Sequence, residues 1–376
     1  MHFELTGEQR DLVARLRDSG PLLSTPDREA GGRSAWETAA KLGVTGLCLP
    51  EEHGGGGLGA LDTALSFEAL AQGGADPGLL FGLAAHLLAC GIVLAEHAHG
   101  DVRADLVAGL CSGAVVAGNA MTEAQAGSDT SRIATTAVAD GDSYLIDGTK
   151  SFVSNAGLAD VYVTYAMTTP GGGHLGMSAF AVPANLPGVR VAEPLEKLGL
   201  TGCAAAVVEF TGCRVPRDHL LGAENAGSGV FAKSMVWERA CLPAIFVGVM
   251  DHQLRRCVDH VRGRRQFGRR LGDFQAVSHR IAVMKQRLES SRLLMYRACW
   301  LIDRDDPGAG AAAALAKAAV AEAAVDNGVD AVKVFGARGY LAADGIGQQL
   351  LDALPLHIFS GTTDIQRELV VKGLGI

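Results

Sequence analysis

Glu238 is the residue of this sequence whose surroundings best suit acid–base chemistry. Arg239 follows it, and then Ala240 to Met250 run without a charge, so the carboxylate stands at the edge of a segment that must be buried. Loss of water disfavours the charged form, raises the pKa and strengthens the base, as proton removal from carbon demands. Pro243, placed inside a helix, would free the carbonyl of Arg239 and permit a bend beside the site. The plainer role for Glu238 is an ion pair.

Two other stretches could hold a ligand. From Thr122 to Asp129 the chain reads Thr-Glu-Ala-Gln-Ala-Gly-Ser-Asp, in which small residues let backbone amides approach a planar ring and hydroxyls supply short donors. Without a ligand it is an ordinary Gly-Ser-Asp turn. Arg255, Arg256, Arg262, Arg264, Arg265, Arg269 and Arg270 form a basic stretch whose guanidinium groups suit bidentate pairing with phosphate, or a solvated helix end. The eight cysteines are dispersed, with no Cys-x-x-Cys and no neighbouring pair of histidines at metal spacing, so they read as core residues in a reducing compartment and no metal site is expected.

These residues need elements to position them. From Leu5 to about Gly113 apolar residues recur at helical spacing, broken by the loop Pro50 to Gly57. Between about Ala117 and Gly222 short runs rich in Val, Thr, Tyr and Phe alternate with turn clusters such as Asp140-Gly141-Asp142, which predicts a β domain of antiparallel strands. After Gly229 helical spacing returns, with four or five long helices expected, one through the alanine-rich run Ala311 to Ala324 and the last ending near Gly373. The fold class is α+β, divided as an N-terminal helical domain over 1–115, a middle β domain over 116–224 and a C-terminal helical bundle over 225–376.

Composition narrows the function. A chain of 376 residues with 48% hydrophobic and 20% charged residues should fold throughout and can bury a cofactor. A net charge of −8 disfavours nucleic acid. No run reaches the roughly 18 apolar residues of a membrane span, and Met1 to Val13 lack the build of a signal peptide, so a cytoplasmic protein is expected, with no membrane partner.

Taken together, several segments resemble the acyl-CoA dehydrogenase family. In order they are Pro50-Glu51-Glu52-His53-Gly54-Gly55, Met121 to Asp129, Asp147 to Ala156, Lys197-Leu198-Gly199, Arg264-Arg265-Gln266-Phe267-Gly268 with Phe274-Gln275, and Gly361 to Arg367. The resemblance implies an N-terminal helical domain, a middle β domain, a C-terminal four-helix bundle and FAD. It places Met121, Thr122, Gly127 and Ser128 against the flavin, with Ser128 also near the pantetheine arm of the substrate. Ala124 stands where the family commonly has Pro. Phe152, Val153 and Ser154 stand where it usually has Trp-Ile-Thr, a ring shielding the flavin and a hydroxyl for N5, so the ring is smaller and the hydroxyl less constrained. By the same resemblance Arg264, Phe267, Phe274 and Gln275 reach the FAD of a neighbouring subunit, as do Lys333, Val334 and Gly336 in a segment where Ala337 replaces a usual Gly. Thr362 and Asp364 join the cofactor site.

Most members of that family carry the catalytic Glu just before the Gly-Thr of the last motif. Here that residue is Ser360, which cannot act as a base without an activating partner. Members resembling isovaleryl-CoA dehydrogenase place the Glu on the first long helix of the bundle, just before an Arg, and this chain has Glu238-Arg239 there. The resemblance therefore assigns α-proton abstraction to Glu238, hydride transfer to flavin N5, and substrate contacts to Ser128, Arg239, Phe359, Ser360 and Gly361, the Ser360 N–H holding the thioester oxygen. It implies an acyl thioester on CoA or an acyl carrier protein, an electron-transfer flavoprotein or O2 as acceptor, and a homodimer or homotetramer; the compact length and relocated base resemble secondary-metabolism members that use carrier proteins. Two other readings remain at this point: a flavin oxidase or monooxygenase that needs no carboxylate, supported by Ser360, and a non-catalytic protein using its arginines on nucleic acid.

Overall fold

The computed structural model describes residues 4–24 and 32–376. Met1 to Phe3, part of the stretch read against a signal peptide, lie outside the described residues. The first helical block holds α1 (Gly7–Ser19), α2 (Arg33–Lys41), α3 (Ala60–Gln72), α4 (Pro77–Ala84), α5 (Ile92–His97) and α6 (Gly100–Ser112). Thr6 starts α1 with a capping box: its hydroxyl accepts from Gln9 N–H, and the Gln9 side chain accepts from Thr6 N–H. Asp76 caps α4, accepting from Leu79 N–H at 2.9 Å, and Pro77 occupies a first-turn position where no N–H is needed.

Between α4 and α5 the helix continues through a π-helical segment, Ala85–Gly91. This corrects one sequence expectation. Pro77–His97 is a helix long and apolar enough to cross a membrane by length and composition, and 89% of its most apolar window is buried inside the protein. Glycines and His86 interrupt the run, so a count of uninterrupted apolar residues misses it. It is apolar all round because it has protein on several sides, with the π segment packed against both the first strand and the first bundle helix. His86 ties it down: its Nδ1 accepts from Ala117 N–H at 3.1 Å, which leaves Nε2 to donate to Thr45 O at 3.2 Å. Burial pushes His86 down to about 4, so it stays neutral.

The middle block contains β1 (Ala117–Ala120), β2 (Thr136–Asp140), β3 (Ser143–Ser154), β4 (Val161–Met167), β5 (Met177–Pro183), β6 (Val189–Val191), β7 (Ala205–Pro216) and β8 (Leu220–Leu221). The order is β6-β7-β3-β2-β4-β5-β8, with β1 also on β4. Pairing is antiparallel except along one edge of β4. There β1 runs parallel beside Val161 to Thr164, and β2 touches in parallel at Met167. Since β1 and β2 share that edge, the chain between them, Met121 to Thr135, has to leave the sheet as a loop. β4 is buried along its length: Tyr162 and Ala166 face the sheet's own core, while Val163 and Tyr165 face the helices.

The last block comprises α7 (Gly227–Cys241), α8 (Ala244–Gly263), the hairpin β9 (Arg265–Gln266) and β10 (Arg269–Arg270), then α9 (Gln275–Ile302), α10 (Ala309–Phe335), α11 (Ile346–Ala353) and α12 (Thr363–Gly373). Pro243 lies between helices and not within one: α7 stops at Cys241 and α8 starts at Ala244. In α10 the alanines Ala313, Ala316 and Ala321 are fully buried, their small side chains allowing α7, α8, α9 and α12 to pack closely around it. All eight cysteines are free thiols, buried except for the half-buried Cys48.

Candidate active site

Glu238 lies in the last turn of α7 and is only 6% exposed. One carboxylate oxygen, Oε1, accepts a hydrogen bond from the Ser360 hydroxyl, and the other, Oε2, is buried with no partner. An unpaired buried carboxylate oxygen is costly, so folding alone gives no reason for it. Burial pushes the Glu238 carboxyl above its usual range, against the opposing pull of Ser360, Arg239 and Lys317. The result is a carboxylate fixed by one oxygen and free to take a proton with the other.

Ser360 is positioned by its backbone. It adopts φ 54°, a left-handed conformation uncommon for a residue with a Cβ, and Gly361 follows at φ 88°. At Gly361 an added Cβ would come within 2.9 Å of Gln366 Nε2, and the positive φ itself disfavours any residue with a side chain there. Three side chains grip it. Arg239 Nε donates to Ser360 O at 3.0 Å, Lys317 Nζ to Gly361 O at 2.7 Å, and Gln366 Nε2 to Gly361 O at 2.8 Å. Lys317, from the buried face of α10, is 1% exposed. Burial lowers its pKa to about 8, Arg239 lowers it further and Glu238 opposes the fall. Arg239 spends its Nε on Ser360 O and acts on Glu238 through its charge, so it holds the turn and is not the direct ion-pair partner expected as the alternative.

Aromatic rings wall the site. Phe359 packs against Phe81 of α4 at 4.8 Å between ring centroids and against Phe246 of α8 at 6.3 Å, and Lys317 Nζ lies 5.8 Å from its centroid. Cys90, in the π-helical segment, is close enough to Glu238 for the carboxylate, after burial itself, to raise the thiol's pKa. π-helical turns occur often at functional sites, and this one packs on α7.

The loop that leaves the edge of β4 carries the second part of the site. Glu123 anchors it from within: Lys150 Nζ donates to Glu123 Oε1 at 2.8 Å and to Met121 O at 3.1 Å. Thr135 N–H and Ala134 N–H also donate to the same carboxylate, at 3.0 and 2.6 Å. Burial pushes Glu123 up, but Lys150 and the hydrogen bonds outweigh it and leave the carboxyl below its usual range. The end Gly127-Ser128-Asp129 is left exposed. Beside it, Ser151 N–H donates to Thr122 O at 2.8 Å, joining β3 to the loop.

Phe152 lies at an irregularity in the β3–β7 register, at φ 56° and 67% exposed. A bulge of this kind turns a side chain out of the pleat. An outward aromatic ring beside a loop of small residues fits a flat cofactor ring. Val153 points the other way, into the sheet's core, so only its main chain could meet a ligand. Ser154 is half-buried at the strand's end.

The remaining predicted residues do not converge on Glu238. Arg264, Phe267, Phe274 and Gln275 lie beyond the far end of α8, a helix of 20 residues and therefore roughly 30 Å long. Phe267, at the hairpin tip, is 92% exposed, and Arg269 stacks over Phe274 at 3.8 Å from the ring centroid. Lys333 and Gly336 are exposed near the end of α10, whereas the Val334 side chain is buried in the core. Thr362 caps α12, its hydroxyl accepting from Ile365 N–H at 3.3 Å, and Asp364 pairs with Arg367.

Sequence reasoning missed Lys317, Gln366, the Glu123–Lys150 pair and Tyr165. Only the pair left a signal, two opposite charges of the middle block, Glu123 in the loop after β1 and Lys150 within β3, that would otherwise both be solvated.

Models of the acyl-CoA dehydrogenase N-terminal, middle and C-terminal domains match residues 10–114, 118–213 and 225–375. An L-prolyl-[peptidyl-carrier protein] dehydrogenase of Pseudomonas fluorescens is 48% identical over 341 residues, which is 90% of this chain and 89% of that protein. Among solved structures, PigA with FAD and proline superposes with a TM-score of 0.96 at 38% identity, covering 100% of this chain and 99% of that one. The prolyl acyl carrier protein oxidase AnaB superposes with a TM-score of 0.96 at 31% identity, covering 99% and 100%.

Proposed function

The chain belongs to the acyl-CoA dehydrogenase family, and we propose that the acyl thioester it dehydrogenates is an L-prolyl group on a carrier protein, with Glu238 as the base. The observation that carries this reading is the Glu238 carboxylate, held at Oε1 by Ser360 and unpaired at Oε2. The 48% identity to the prolyl dehydrogenase of Pseudomonas fluorescens supports the acyl group and the carrier.

FAD is the cofactor and, when bound, accepts the hydride that leaves the β carbon. The outward ring of Phe152 and the loop pinned by Glu123 and Lys150 are the surfaces that would hold it, with the hairpin around Phe267 reaching the cofactor of a second copy. The chain's own residues supply the rest of the reaction. Ser360 fixes the direction of the carboxylate, so that Oε2 takes the α proton without a rotamer change. Burial keeps water from the carboxylate and preserves its basicity, with Phe359, next to Ser360 and packed on Phe81 and Phe246, closing that side of the turn. Arg239 and Lys317 provide positive potential on the side where negative charge develops at the thioester oxygen, and their grip keeps the Ser360–Gly361 turn from relaxing. An oxygen-using flavoenzyme without a base would have no use for this arrangement.

A thioester panel tests the proposal. Purified protein is mixed with L-prolyl and butyryl groups, each on a carrier protein and on CoA, while flavin absorbance and product mass are followed. The prolyl carrier thioester should bleach the flavin fastest and lose hydrogens; fastest bleaching by butyryl-CoA would refute the assignment. Reoxidation by oxygen alone or by an electron-transfer flavoprotein then separates the two acceptors.

A further inference from the structure

Tyr165 is a buried polar side chain that the mechanism above does not use. It is fully buried, faces the helices from β4, and meets Phe231 of α7 edge-on at 5.3 Å between centroids. Its hydroxyl has no hydrogen-bond partner. Cys90 and Glu238 act on the phenol by charge, and the Ser234 hydroxyl is its nearest hydrogen-bonding neighbour without closing a bond to it. Ser234 lies one turn before Glu238 on α7 and donates its own hydrogen to Phe231 O at 2.9 Å. α7 thus carries Phe231, against which the Tyr165 ring packs, and Glu238 about two turns further on, and both Tyr165 Oη and Glu238 Oε2 lack a partner, on residues 0% and 6% exposed.

Each such atom keeps its desolvation cost for as long as it stays unpaired in the protein interior. A hydrocarbon acyl chain offers no partner for a phenol. An α-amino acyl group does, and its nitrogen is bonded to the same α carbon from which Glu238 takes the proton. Any residue that binds this nitrogen must consequently lie on the same side of the site as Glu238, and Tyr165, packed on α7 within reach of the Glu238 charge, meets that condition. We propose that Tyr165 is a specificity-determining residue whose hydroxyl hydrogen-bonds the ring nitrogen of the prolyl group and selects it over a carbocyclic acyl group of the same shape. The inference rests on the prolyl reading of the preceding subsection. Burial, followed by the nearby Cys90, pushes the phenol's pKa up, so it keeps its proton and can donate to a nitrogen lone pair or accept from an N–H.

The test compares wild type with Tyr165→Phe on L-prolyl and cyclopentanecarbonyl thioesters of one carrier protein. The ratio of kcat/KM for prolyl over cyclopentanecarbonyl should fall about tenfold or more in the variant. A general disturbance of the site would lower both rates and leave the ratio unmoved, and an unmoved ratio overturns the proposal. Because the hydroxyl is unpaired without substrate, the variant's melting temperature should be at or above that of wild type. If the variant fails to fold, wild type alone decides: it should prefer prolyl over cyclopentanecarbonyl at least about tenfold, and equal turnover of the two overturns the role of Tyr165. The prolyl reading fails separately, if wild type turns over neither ring but does turn over a straight-chain acyl thioester.

Discussion

Ser360 donates its side-chain hydrogen to Glu238 Oε1 across 122 residues of sequence, joining the turn before α12 to the last turn of α7. The position that carries the base in most acyl-CoA dehydrogenases here orients Glu238, the base we propose. The hydroxyl cannot take the proton itself, but it fixes the direction of that carboxylate.

Removing that hydroxyl should therefore weaken catalysis without abolishing it. Ser360→Ala leaves both Glu238 oxygens unpaired and lets the carboxylate rotate; the bond being charge-assisted, a loss of about tenfold to a hundredfold in kcat is expected. Loss of a hydrogen bond to the charged form also raises the Glu238 pKa. The acid limb of the kcat/KM profile should thus move to higher pH than in wild type, and a pH series on both proteins reads the shift.

Lys317→Met tests the electrostatics. The change preserves much of the buried volume while removing a cation that lowers the Glu238 pKa and a donor to Gly361 O. The acid limb should again move upward. Wild type should also lose activity above about pH 8, as Lys317 gives up its proton, and the variant should lack that alkaline limb. Steady-state rates from pH 5 to 10 check both.

The Glu123–Lys150 pair should matter for flavin retention more than for chemistry. Lys150→Met leaves a buried carboxylate without its cation, a change that costs about 3–5 kcal/mol in comparable buried pairs. Flavin should wash out more readily on dilution, and denaturant unfolding should begin earlier. The sign of the pH dependence follows from Glu123, whose folded pKa is below its unfolded value. The stability it contributes is present above the ordinary carboxylate range and is lost as pH falls through the folded pKa. Wild type should lose that increment in acid, while the variant has already lost it at neutral pH.

Much of the framework could be read from residue order. The change from helical to alternating texture near residue 115 and back near 225 follows from periods of 3.6 and 2 that packing on one face imposes. Glu238 was legible because its apolar flank predicts desolvation, and Ser360 because it breaks a pattern. Lys317 was not: a single lysine in an alanine-rich helix looks solvated, and its burial depends on the turn from α12 reaching that face of α10. Nor was Tyr165, since a tyrosine in an alternating strand fits an ordinary sheet position, and nothing local says that its hydroxyl ends unpaired beside α7. The π-helical segment was likewise invisible, because its hydrogen-bond shift depends on what packs against it and not on its own apolar residues.

The central claim is that Glu238 removes the α proton, and single-turnover bleaching of Glu238→Gln tests it most directly. Glutamine keeps the shape and can accept the Ser360 hydrogen bond but cannot act as a base, so the variant should retain its yellow FAD and reduce it at least about a hundredfold more slowly with L-prolyl carrier thioester. Bleaching at the wild-type rate, with flavin fully bound, would contradict the account.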